Sequence, residues 1–433
     1  MWLAFITKRV IILWKERKLI KNEDVVVGLD IGTTKVVIVV GQVQEGMVQI
    51  IGIGKAPNSG MRKGSIVDIE ETVSAISNAL EDAERSSGMK LESCFCSIEG
   101  NQINTISSKG VIAVSRADGE ITDQDIERVT EAAKSVALPP NFEILHIVPR
   151  YFSIDGQEGV KDPLGMSAIR LEVETHVIGV TASVLKNLGK TILQSGLEID
   201  GVVFSPLAAA KAILTKNQKE LGVILIDIGS SNTNIAVFEE RTLIHSSVLP
   251  IGSNHITSDI AIGMRTDIEV AEKIKINEVT AMPDQVKENE KIDLSKYKRD
   301  EKEKPSKQFV CQVTEARLKE LFSMIKEKLS QIDRDEMLPA GAVLTGGGAK
   351  QTGIVEFSKN FLKLPVKVGA PVLEVSGIVD KLDDPRYATA IGLMLWGIDE
   401  YARDDNNKKS VNINRKIGGV LDKAREIFKN FIP

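Results

Sequence analysis

The strongest constraint on the fold of this chain is a stretch that it contains twice. Val25-Val26-Val27-Gly28-Leu29-Asp30-Ile31-Gly32-Thr33-Thr34-Lys35 leads into Val36-Val37-Ile38-Val39. About half a chain later, Val223-Ile224-Leu225-Ile226-Asp227-Ile228-Gly229-Ser230-Ser231-Asn232 leads into Thr233-Asn234-Ile235-Ala236-Val237. Each is a β-branched run into an aspartate, then a glycine with two hydroxyl residues, then a second apolar run. That pattern predicts a strand, a tight turn and a returning strand. Such a tip has a chemical use: glycine lets backbone N–H groups approach an anion, and the hydroxyls add donors. An aspartate at the strand end suits a hydrated Mg²⁺, which prefers oxygen ligands. One copy alone is most simply a buried hairpin. Two copies predict a duplicated α/β fold whose hairpins face each other across a triphosphate.

Composition narrows the partners. With 42% hydrophobic and 27% charged residues, 433 residues suffice for more than one core. A net charge of −5 and 4% aromatics argue against nucleic acid. The cysteines are three, Cys94, Cys96 and Cys311, which reads as a reduced set and not a disulfide framework. Two phosphate motifs fail on inspection. Gly52-Ile53-Gly54 begins a dinucleotide fingerprint but meets Pro57, and Gly348-Ala349-Lys350-Gln351 lacks the Gly-Lys-Ser/Thr ending of a Walker A loop.

Along the chain, residues 1–23 alternate short apolar runs with Lys8, Arg9, Lys15, Arg17 and Lys18. They read as an extension, with a membrane-surface helix as the alternative. A helix is expected at 69–86, and 100–174 reads as a compact β/α/β insert with Thr122 capping a helix from Asp125. Gly252 turns into a helix and is a candidate nucleotide-binding residue, and Glu272 and Lys275 share one helix face, which in isolation is a surface ion pair. The lysine- and glutamate-rich run 284–308 reads as a mobile solvated loop. Leu344-Thr345-Gly346-Gly347-Gly348-Ala349 is a strand running into glycines that permit close approach of a flat or anionic ligand. Small residues at Ala388, Ala390 and Gly392 predict tight helix packing. The polar 401–416 segment reads as a linker. After it, Ile417, Val420, Leu421, Ile427, Phe428, Phe431 and Ile432 form one stripe of an amphipathic helix. At 1.5 Å per residue that helix spans about 24 Å and carries charges, so it lies in a membrane interface and does not cross it; docking back on the core is the alternative.

From about residue 24 onward the chain resembles the FtsA family of bacterial cell-division proteins, within the actin/Hsp70/sugar-kinase fold. Asp30, Gly32, Thr33, Thr34 and Lys35 resemble its first phosphate motif. Asp227, Gly229, Ser230, Ser231 and Asn232 resemble the second, and Gly346, Gly347 and Gly348 the adenosine motif. Glu272 and Lys275 fall where the wider fold holds ribose and adenine. The resemblance implies two actin-like domains around a nucleotide cleft, at 24–99 with 175–205 and at 206–252 with 321–400. It also implies a relocated small subdomain at 100–174, a further subdomain at 253–320 and a membrane-targeting helix at 417–433. It implies ATP with Mg²⁺ held through water by Asp30 and Asp227. The expected role is head-to-tail self-assembly on the cytoplasmic face of the plasma membrane at the division septum. The expected partners are membrane lipids, FtsZ and later division proteins. Ser205 stands where bacterial actins carry a glutamate that positions the attacking water, and serine is too weak a base alone. Catalytic residues are therefore not assigned, and ATPase activity is expected to be weak at most. The rival readings are a pilus-type actin-like adaptor and a small-molecule kinase of the same fold.

Overall fold

The computed structural model describes residues 25–413 apart from 45–46, 117, 135–138, 140, 299–302, 372–374 and 378–383. The extension and the tail helix, 1–23 and 417–433, lie outside the described residues. The fold is an actin-like ATPase fold, and its duplication is explicit in the sheets.

The first sheet is built on β1 (Val25–Ile31), β2 (Lys35–Gln44) and β3 (Met47–Pro57), an antiparallel meander. Two further strands, β4 (Ser93–Ile98) and β5 (Glu198–Phe204), extend it in parallel from the β1 side. The second sheet repeats the plan. Its meander is β6 (Val223–Ile228), β7 (Thr233–Glu239) and β8 (Thr242–Leu249). The parallel additions are β9 (Ala342–Thr345) and β10 (Val366–Val368). Every side chain of β6 is buried, as a strand covered on both faces requires.

Between β4 and β5 the chain inserts a four-stranded sheet whose long strands are Ile103–Ala113, Phe142–Ile154 and Arg170–Thr181. Ile121, Val129, Phe152, Leu171 and Val173 give it a core of its own. Its helix Asp123–Ala133 starts at Thr122, whose N–H and hydroxyl both donate to Asp125. The insert rests on β8: Thr105 Oγ1 donates to the Ser246 carbonyl at 2.9 Å, and His176 Nε2 lies 2.9 Å from Ser246 Oγ.

Helix α1 (Ser205–Ile213) and helix α2 (Ala388–Ile413) cross between the sheets. A Cβ on Gly392 would lie 1.8 Å from the Ala208 carbonyl oxygen, so the small residues are required for the approach. Gly54 does the same work in the first sheet, where a Cβ would lie 1.8 Å from the Ala79 carbonyl of helix Ile69–Ser87. The glycines that mimic a dinucleotide fingerprint are therefore strand–helix contacts.

Two expectations are corrected. The 401–416 segment, read as a linker, is helical as far as Ile413. Extending a helix that packing has already nucleated is cheap even for polar residues. The charged run is also anchored: Val286, Ile292 and Leu294 are 8%, 1% and 1% exposed and join the core of the second half. Its lysines and glutamates surround those three pins.

Candidate functional site

The two hairpin tips have the same geometry. The Gly32 N–H donates to the Lys35 carbonyl at 2.9 Å, and the Gly229 N–H donates to the Asn232 carbonyl at 2.9 Å. Asp30 pairs across its hairpin with Val37, and Asp227 with Asn234, the corresponding position. Both tips open on one cleft of about 1020 Å³.

Fourteen of the sixteen residues expected to hold nucleotide line this cleft: Asp30, Gly32, Thr33, Thr34, Lys35, Asp227, Gly229, Ser230, Gly252, Glu272, Lys275, Gly346, Gly347 and Gly348. Ser231 and Asn232 do not line it. Asn232 turns beneath the tip and is 2% exposed. Ser231 backs onto Gly252, where a Cβ would lie 2.6 Å from the Ser230 carbonyl carbon. That contact lets the helix Ser253–Met264 begin against the tip, with the Ser253 and Asn254 N–H groups donating to the Gly229 and Ser230 carbonyls at 2.9 and 2.8 Å.

The phosphate side is electrostatically strained. Removal from water, then the charge of Asp30, pushes the Asp227 carboxyl up to about 7. Burial raises Asp30 as well, against hydrogen bonding from Ser97 Oγ at 2.8 Å and the nearby charge of Lys35. Burial lowers the Lys35 ammonium to about 8, and it donates to the Arg386 carbonyl at 3.0 Å. Ser230 Oγ, both polar side-chain atoms of Asn232 and Asn234 Oδ1 are buried without a partner. Crowded carboxylates beside free donors and acceptors fit a polyphosphate with a hydrated divalent cation. Among the described residues no three acidic, histidine or cysteine side chains cluster closely enough to chelate a metal directly.

On the opposite wall, helix Ile268–Asn277 carries Glu272 and Lys275. The pair is more than a surface bridge. Lys275 Nζ is buried, 2.6 Å from Glu272 Oε2, and donates to Thr257 Oγ1 at 2.8 Å. The Lys275 end is locked while the Glu272 side chain stays 41% exposed toward the cleft. Gly346 adopts φ +80°, and its Cα faces Asp227: a Cβ would lie 2.3 Å from Asp227 Oδ1. Only glycine lets the adenosine-side loop pass the phosphate-side aspartate there.

Sequence reasoning missed Glu99. It follows β4, lines the cleft, and its Oε2 accepts from Asn234 Nδ2 at 2.8 Å. Burial first, then Asp227 and Asp30, pushes its carboxyl up to about 8. A signal existed: a carboxylate directly past the carboxyl end of a parallel strand, where open α/β sheets bind ligands. Arg317 and Arg386 also line the cleft. Ser205 does not: its Oγ donates to the Ile98 carbonyl at 3.0 Å and is buried.

A family model described as "Cell division protein FtsA" matches residues 224–392, and one described as "SHS2 domain inserted in FTSA" matches 100–179. The chain is 38% identical over 380 residues to the cell division protein FtsA of Pseudomonas aeruginosa, covering 88% of this chain and 90% of that one. The chain belongs to the FtsA family of cell division proteins. The FtsA of Bacillus subtilis is 38% identical over 373 residues, covering 86% of this chain and 83% of that protein. The FtsA of Escherichia coli K12 is 34% identical over 384 residues, covering 87% and 91%. Among solved structures, a chain of the PilM–PilN type IV pilus biogenesis complex superposes with a TM-score of 0.63 at 16% identity, covering 86% of this chain and 98% of that one. That likeness carries the fold; the FtsA identities carry the family, and the pilus-adaptor and kinase readings give way to it. No helix among the described residues is long and apolar enough to cross a membrane.

Proposed function

We propose that this FtsA-family chain binds Mg-ATP in the cleft and uses it as a ligand for assembly. It polymerises head to tail on the cytoplasmic face of the plasma membrane at the division septum, tethers FtsZ there and helps recruit later division proteins. The observation that carries the nucleotide part is the pair of congruent glycine turns on opposite walls of one cleft, each beside a buried carboxylate. The turns and hydroxyls of Thr33, Thr34 and Ser230 would hold the phosphates, with Ser231 and Asn232 shaping the second turn from behind. Asp30 and Asp227 would hold Mg²⁺ through its waters. The ion would neutralise phosphate charge, and Lys35 adds a cation from this chain. Glu272 and Lys275 would hold the ribose and base side, with the 346–348 glycines closing over it.

The actin-like domains are taken as 24–99 with 175–205 and 206–252 with 321–400. The 253–320 subdomain is the face offered to FtsZ. The membrane contact is assigned to the stripe of Ile417, Val420, Leu421, Ile427, Phe428, Phe431 and Ile432. Desolvating Phe428 and Phe431 contributes a few kcal/mol by area, roughly 2 for each ring.

The test is co-sedimentation with lipid vesicles and Mg-ATP, with and without FtsZ. The full chain should pellet and bring FtsZ with it. Deleting 417–433, or changing Phe428 and Phe431 to Glu, should leave both in the supernatant. A truncated chain that still pelleted would remove the tail from its assigned role.

A further inference from the structure

The cleft holds a carboxylate that neither phosphate motif contains. Glu99 sits on the turn after β4, and that turn is fixed from three directions. Ser205 Oγ donates to the carbonyl of Ile98, the residue before it, at 3.0 Å. Ser97, two residues before it, donates to Asp30 at 2.8 Å and accepts from the Ile31 N–H at 3.1 Å. Gly100, the residue after it, adopts φ +114° and packs on the backbone of Gly64, where a Cβ on Gly64 would lie 2.4 Å from the Gly100 Cα. The side chain itself is oriented by Asn234, whose Nδ2 donates to Oε2 at 2.8 Å. Glu99 itself lines the cleft onto which both hairpin tips open.

We propose that Glu99 is the catalytic carboxylate of slow ATP hydrolysis in this cleft, orienting the attacking water. The inference rests on the nucleotide reading given above. The water oxygen forms a bond to the γ-phosphorus as the bond from that phosphorus to the β–γ bridging oxygen breaks. In its ionised form Glu99 takes one water proton and passes it to solvent or the released phosphate, and ADP leaves with the bridging oxygen. Nothing is oxidised or reduced. Phosphoryl transfer depends mostly on positioning and charge, so one well-aimed carboxylate is a sufficient addition to a phosphate clamp. Ser205, which occupies the place where a water-positioning carboxylate was expected, acts one step back by holding the strand end that carries Glu99. The role has moved from a helix start to a strand end on the same wall.

The experiment compares the unchanged chain with Glu99→Gln, which keeps the acceptor for Asn234 and removes the charge. Mg-ATP affinity is measured by calorimetry, phosphate release by a single-turnover assay, and nucleotide-free stability in urea. The expected result is a variant at least as stable as the unchanged chain, with affinity within about threefold and phosphate release slowed by about 100-fold or more. Release at the unchanged rate overturns the proposal. So does loss of Mg-ATP affinity in the variant, which would make Glu99 part of the nucleotide cradle. An unchanged chain that binds Mg-ATP and releases no phosphate also overturns it while leaving the nucleotide reading intact. An unchanged chain that binds no Mg-ATP ends both.

Discussion

Asp227→Asn should make the nucleotide-free protein more stable and deaf to nucleotide. Asp227 is 7% exposed, faces the charge of Asp30, and ionises only near 7 where a free aspartate does so at 3.8. A folded-state value above the unfolded one means that the fold binds more protons in between, so stability is lost as pH rises through that window. At pH 8 the ionised carboxylate costs about 4 kcal/mol, from roughly three units at about 1.4 kcal/mol each. At pH 5 it is protonated in the fold and the residual cost is about 1.5 kcal/mol. An asparagine has nearly the same shape without the charge. The variant's advantage in urea unfolding should therefore be about 2–4 kcal/mol at pH 8 and should shrink by more than half at pH 5.

Ligand offsets most of that difference. With Mg-ATP at a hundredfold excess over its dissociation constant, the unchanged chain gains about 2.7 kcal/mol by mass action. The variant, lacking the carboxylate assigned to the hydrated ion, should gain nothing measurable. A variant less stable than the parent at pH 8, an advantage that does not vary with pH, or a retained Mg-ATP shift would each refute the reasoning.

Two further outcomes can be read from unfolding curves. Burial holds the imidazoles of His146 and His245 down at about 4 and His176 at about 3. His146 Nε2 accepts from the Phe204 N–H at 3.0 Å and so must stay neutral. The unfolded chain binds protons that the fold refuses, so stability should fall as pH drops from about 6.5 toward 4, by about 2 kcal/mol per histidine at pH 5. A flat profile over that range in a chain carrying both Asp227→Asn and Glu99→Gln, where the carboxyls pushed up to about 7 and about 8 are gone, would contradict the burial. Separately, Leu294→Ala should cost about 2–5 kcal/mol in urea because the side chain is 1% exposed. A cost below about 0.5 kcal/mol would return the 284–308 run to a solvated loop.

The parts of the site that the sequence disclosed are those whose chemistry is local. A hairpin is set by alternation and its glycine turn, all within fifteen residues, so both tips and the glycines at 346–348 are legible. Spacing also placed Glu272 and Lys275 on one face, but spacing carries no burial; the lock on Lys275 comes from Thr257 on another helix, 18 residues away. Glu99 stayed hidden because its partner Asn234 lies 135 residues further on. The charged run misled for a different reason. Its pins, Val286, Ile292 and Leu294, have no period among the lysines, and only the packed core shows that they point the same way. Helix through residue 413 was missed because polar residues all round leave no stripe to read.

The place where the duplication breaks is more informative than the duplication. Val37 and Asn234 hold equivalent positions on the two returning strands, and both are fully buried. The first copy shows that valine satisfies the fold there. Asparagine does so less well: its Oδ1 has no partner, a loss of about 1–3 kcal/mol for a buried acceptor. What the amide gains is the bond to Glu99 at 2.8 Å, between the hairpin of one half and the strand end of the other, and a hydrogen bond that favours the ionised Asp227 of its own hairpin. The polar choice therefore serves the carboxylates of the cleft, one in its own half and one across the junction. Any motion that separates the walls of the cleft must break that bond, which frees Glu99 from its orientation. On the role proposed for Glu99, closing the cleft and aligning the carboxylate would be one event, set by a residue whose counterpart in the first hairpin is only packing.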